Sequence, residues 1–244
     1  MSDEQSSRGR IDWVWVRALS GPICGVLFFL ITFYSIGAGS PFSGTIETSP
    51  DESGRVTATV LSRNAEDLEH SARFGLIGLI FLFPFLGYLY RWLQWDDGED
   101  GWMAPTAFAG GIATTALLAV NLKLDLAVAL IDDYGSEDFP AARALGALAW
   151  SAHTATGPAM AVLIAATALA TLGSAREVSL PRWTAWLGVP LAVIVFIVSP
   201  WTRLLLLMIW VLVISCAFAW RVFDTPTVAG VEDKSRPLIY GRRM

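Results

Sequence analysis

Charge is scarce in this chain of 244 residues, where only 16% are Asp, Glu, Lys or Arg and just two are His. A soluble fold of this size carries a more polar shell, because charged residues make up about a quarter of average usage. Basic residues are the rarer sign, 17 against 22 acidic, for a formal net charge of −5. That balance excludes a nucleic-acid partner, which is held by a basic face that displaces counterions from phosphates. Cysteine is nearly absent too. Cys24 and Cys216 both fall inside or beside apolar blocks, so no disulfide framework is expected. The motifs of standard soluble chemistry are also missing: no phosphate-binding Gly-rich loop, no Gly-x-Ser-x-Gly, no His-Glu-x-x-His and no paired Cys-x-x-Cys.

What the chain has instead is apolar sequence in blocks. Hydrophobic residues make up 54% of it, with a mean hydropathy of +0.52. Stretches such as Gly25 to Ala38 and Leu204 to Ala219 carry no charge at all. A membrane-spanning helix needs about 20 mostly apolar residues. Six windows qualify: 17–38, 74–90, 103–122 with a polar extension to 131, 141–172, 183–199 and 203–220. The fold class that follows is all-α, a polytopic membrane bundle of about six transmembrane helices. Arg8, Arg10 and Arg17 precede the first apolar run without a small-residue cleavage site beyond it, which reads as an uncleaved signal anchor.

Orientation follows from the bias of Lys and Arg toward cytoplasmic segments. With the N-terminus inside, 11 of the 17 basic residues are cytoplasmic, so both termini are expected there. Tryptophan agrees, because its ring prefers the headgroup level. Nine tryptophans, among them Trp102, Trp183, Trp186, Trp201 and Trp220, fall near span ends, and only Trp150 and Trp210 lie within spans. The chain divides into a cytoplasmic N-terminal segment (1–16), a membrane domain (17–221) with an external loop at 39–73, and a cytoplasmic tail (222–244) expected to be extended. Within the loop, the alternation Val56, Thr57, Thr59, Val60 is a weak strand signal. From Asn64 the pattern is helical, with Glu69 and Arg73 at the i,i+4 spacing of an ion pair, and it runs into the second span.

Polar residues inside spans are costly and are therefore the candidates for function. Thr114, Asn121, Asp125 and Asp132 lie on one face of the third helix, a stripe that Gly110 extends inward while Lys123 projects to the other side. Asp125 lies toward the external end, where a carboxylate can meet water. His153 is more deeply placed, in the fourth span. Counting the rise from the external turn puts it level with Asn121, so an Asn121–His153 hydrogen bond is expected. Pro158, just beyond, removes the donor for the carbonyl of Thr154. Asn121, Asp125 and His153 form the candidate intramembrane polar site.

A neutral imidazole satisfied by an amide is the plain reading of His153, and a proton relay or an axial ligand is the sharper one. A bis-histidine haem would require His70, and the same counting puts it about 20 Å above His153. Glu66 and Asp67 stand at i,i+4 and i,i+3 spacing from His70, with Glu69 between, which has the spacing of half a metal site but reads better as a solvated helix. No catalytic residue, metal or cofactor is expected, although a lipid or quinone can sit between helices without any motif. Gly75, Gly78, Gly110, Gly111, Gly157, Ala161, Ala165 and Ala168 supply small surfaces for close helix packing.

The stretch Leu180-Pro181-Arg182-Trp183-Thr184-Ala185-Trp186-Leu187-Gly188, ahead of a closing apolar pair of spans, resembles a motif of a broad family of small prokaryotic six-span integral membrane proteins of unknown function. The resemblance covers about the last three quarters of the chain and implies a helical fold without catalysis. The segment 39–60 departs from that pattern. The expected function is an accessory or structural subunit of a larger assembly in the cell membrane, in contact with lipids and other membrane subunits. A small transporter using the polar group of the third and fourth spans is the alternative. An intramembrane enzyme ranks third, for want of ligands and nucleophiles.

Overall fold

The structure, a computed structural model, describes residues 13–39, 65–97, 101–133, 139–173 and 180–224. Among them it is entirely helical: α1 (Trp13–Gly39), α2 (Ala65–Asp97), α3 (Met103–Asp133), α4 (Phe139–Gly173), α5 (Arg182–Ile197) and α6 (Pro200–Asp224). The weak strand signal at Val56–Val60 and the tail beyond Asp224 lie outside the described residues. Five helices are long and apolar enough to cross a membrane, over Ala18–Ile36, Glu69–Gln94, Met103–Leu124, Ala147–Gly173 and Trp201–Phe223. The chain is therefore built as a multi-pass membrane protein. Only α5 falls short: its 16 residues rise about 24 Å, against a hydrocarbon core of about 30 Å.

Consecutive helices run antiparallel, and their contacts give the register. Along α1 and α2, Tyr88 donates to the carbonyl of Ala18, Gly25 meets Phe85, Gly78 meets Thr32, and Ser35 pairs with Ser71. Between α2 and α3, Gly75 lies on Leu122 and Gly111 on Leu86, while the Tyr90 and Phe108 rings pack at 5.1 Å. Gly188 of α5 rests on Ala168 and Ile164 of α4. α6 closes the ring onto α1 and α2, with Phe218 edge-on to Tyr88 and tilted on Trp92. Phe218 and Ala18 thus lie at one end of the bundle, so the first and last helices begin and end on the same side.

Side chains from several helices fill the interior, including Phe28, Phe85, Leu86, Leu163, Leu207 and Phe218, all buried. Burial of apolar groups does not by itself drive association in lipid, where the tails are as apolar as leucine, so close backbone approach takes its place. The small residues supply it. Gly110 is the tightest case: a Cβ there would stand 2.8 Å from the backbone nitrogen of Leu163 and 3.1 Å from the carbonyl oxygen of Ala159. The outer face is apolar and aromatic, and Trp102, Trp183, Trp186 and Trp220 are exposed toward the end of the bundle that carries Phe218. Pro181 opens α5 as expected, its carbonyl accepting from the Thr184 backbone and hydroxyl.

Gly110→Ala is expected to destabilise the bundle by about 1–3 kcal/mol, because the overlapping atoms are backbone and cannot rotate away. Gly87→Ala, with nothing within 4 Å of the new methyl, serves as the neutral control. Reversible unfolding in mixed detergent micelles measures both.

Candidate functional site

The polar stripe of α3 points inward through Gly110, Thr114 and Asn121, all buried, while Lys123 is exposed on the other side. The side chain of Asp125 lies outside the described residues, as does that of Asp132. On α4 the buried face runs through His153, Thr156, Gly157, Met160 and Leu163 at helical spacing. These two faces meet. Asn121 Nδ2 lies 2.8 Å from His153 Nδ1, the hydrogen bond expected from the axial count. With the amide as donor, the ring keeps its proton on Nε2. Trp201 of α6 packs on the imidazole at 5.0 Å between centroids and a 40° tilt, so His153 links α3, α4 and α6.

One expectation about His70 needs correction. The register places Gly75 beside Leu122, the residue after Asn121, so His70 stands only five residues above that level. The offset is about 7.5 Å of helical rise, not 20 Å. The error came from counting each helix from its own loop without the packing register. His70 is nevertheless exposed while His153 is buried, so the two rings do not share a ligand. Glu69 forms its ion pair with Arg73, one turn on.

The carbonyl that Pro158 leaves without a donor is answered from another helix. Arg203 Nη1 donates to Thr154 O at 3.0 Å, and Nη2 reaches Phe196 O, at the end of α5, at 3.3 Å. Gly157 makes room, since its missing side chain faces the guanidinium. Threonine hydroxyls bond back to the helix nearby, Thr156 to the His153 carbonyl and Thr154 to that of Ser151. Such back-bonds and the proline both favour bending. Arg203, one of the six basic residues that the topology puts outside, thus fastens the proline turn of α4 to the end of α5.

Beside the Asn121–His153 pair is a cavity of about 50 Å³. Its polar lining is Thr32, Ser35, Ser71, Asn121 and His153, and its remaining walls are apolar, among them Phe28, Leu79, Leu118, Trp201 and Leu204. Ser35 Oγ donates to the Ser71 carbonyl at 2.6 Å and lies 3.2 Å from Ser71 Oγ. Thr32 is 7% exposed, and its hydroxyl has no hydrogen-bond partner among the described residues. Beyond Arg17, α1 carries no charge to mark a site, and the signal it does carry is that Phe28, Thr32 and Ser35 recur at the spacing of one helical face. Comparison with family models, with curated proteins and with solved structures finds no match to this chain.

A double-mutant cycle on Asn121→Leu and His153→Leu checks the central pair. Each single change is expected to cost about 1–3 kcal/mol by leaving its partner unsatisfied. The coupling between them should be about 0.6–1.7 kcal/mol, the range for hydrogen bonds between membrane helices. The readout is unfolding free energy in mixed micelles.

Proposed function

We propose that this chain is an accessory subunit of a larger assembly in the cell membrane, with both termini cytoplasmic and no catalysis of its own. The observation that supports this best is α5. Its 16 residues bury one narrow stripe, Thr184, Ala185, Gly188, Ala192 and Val195, against the rest of the fold. The other faces are apolar and exposed, with Trp186 at 69%, Val193 at 58% and Ile197 at 74%. An apolar helix shorter than the hydrocarbon core costs free energy in lipid, and packing against a neighbouring protein relieves that mismatch. The exposed face of α5 is accordingly the proposed contact with the neighbouring subunit.

Photo-crosslinkers placed at Val193 and Phe196 in the native membrane test this. Discrete protein adducts are expected there and not from Leu30, on the exposed face of α1. A chain that yields no protein adduct from α5 and leaves a mild detergent extract as a free monomer would contradict the proposal.

A transporter is the second reading, favoured by the buried Asn121–His153 pair beside an internal cavity. On this reading, proteoliposomes of the intact chain carry a proton flux under a pH gradient, and His153→Gln or Asp125→Asn lowers it by about tenfold or more, the size of effect expected when an intramembrane relay group is lost. Flux equal to that of protein-free liposomes would remove it.

A further inference from the structure

The cavity beside His153 has a definite position along every helix that lines it. Ile36 ends the first span, Ser71 lies near the start of the second, Leu122 near the end of the third, and Trp201 starts the last. All of its walls belong to the five long spans, and all lie toward the same end of the bundle. The site therefore lies within the spans, in the half of the bundle where α1 and α3 end, at a place suited to a ligand that partitions into the bilayer.

Its chemistry is uncharged. No Asp, Glu, Lys or Arg lines it among the described residues. The polar groups are hydroxyls, one amide and one imidazole, gathered against rings and leucines. Polar groups buried in a low-dielectric site are normally satisfied, and an unpaired one points to a missing partner. Thr32 is such a group: its hydroxyl lines the cavity, is buried and lacks a partner among the described residues. The Asn121 amide has hydrogen-bonding capacity beyond its contact with His153 Nδ1. Apolar walls with a few converging polar groups are the usual make-up of a small-molecule site.

We infer that this cavity binds the uncharged, oxygen-bearing head of a lipid-soluble molecule, with carbonyl or hydroxyl oxygens toward Thr32, Ser71 and Asn121. A charged head is disfavoured, because no opposite charge lines the site to offset its desolvation. A quinone and a neutral glycerolipid share this head chemistry. The inference stands on the cavity alone and holds for a subunit as for a transporter, since binding is measured without any flux.

The test uses the purified full-length chain and follows its melting temperature during titration with four probes. Decylubiquinone and dioctanoylglycerol are the neutral arms, and dodecyl phosphate and dodecyltrimethylammonium are the charged ones. A saturable rise with decylubiquinone identifies a quinone head, and one with dioctanoylglycerol a glyceride head. Thr32→Val and Ser71→Ala are each expected to weaken that binding by about tenfold, as the loss of one hydrogen bond does, while Thr32→Ser keeps it. Melting without probe reports whether each variant is folded, and Ser71→Ala carries the test if Thr32→Val is not. The inference is overturned if neither neutral probe raises the melting temperature, as for a cavity holding only water. It is also overturned if the charged probes act equally, or if binding survives both substitutions unchanged.

Discussion

Hydrocarbon offers no hydrogen-bond partner, so a polar group carried into the membrane is costly unless it is answered from within the protein or by a bound molecule. That constraint shapes this bundle more than apolar burial does. Asn121 answers His153, Ser35 answers the backbone of Ser71, and Arg203 answers the carbonyl released by Pro158. Each of these bonds joins two helices, and the last joins α6 to α4, which are not consecutive in the chain. Together they hold the end of the bundle where α1 and α3 finish and α2, α4 and α6 begin.

The opposite half is held differently. There the contacts are rings and small residues: Tyr88, Trp92 and Phe218 cluster, Gly111 accepts Leu86, and Gly188 accepts Ala168. Dispersion between close backbones supplies cohesion where lipid provides no hydrophobic drive. The two ends thus have different characters, one polar and the other aromatic. The cavity described above lies at the first, where hydroxyls and an amide face one another.

Two features, one on the outer surface and one inside the bundle, matter for function. α5 exposes most of its apolar circumference and is shorter than the hydrocarbon core is thick, which favours a protein neighbour. The cavity lies inside the bundle, and its hydroxyls, amide and imidazole among apolar walls suit a lipid-soluble molecule. A subunit that meets a partner through α5 and a ligand near His153 is consistent with both.

Much of the fold was legible in the sequence, because span length and charge exclusion are local properties dictated by the solvent. The windows 17–38, 74–90 and 203–220 lie inside α1, α2 and α6, and the helical start at Ala65 follows from its own pattern. The Asn121–His153 bond was legible as well, since both residues are counted from one short turn. The position of His70 was not, because it depends on how α2 slides against α3. Nor was the polar face of α1, where Thr32 and Ser35 look like ordinary span residues until Ser71 is opposite. By itself the sequence determined which segments enter the membrane and which residues they carry there. Only the tertiary structure decided which polar groups meet, because helix register is set by the close approach of small residues on facing helices, and no single helix contains that information.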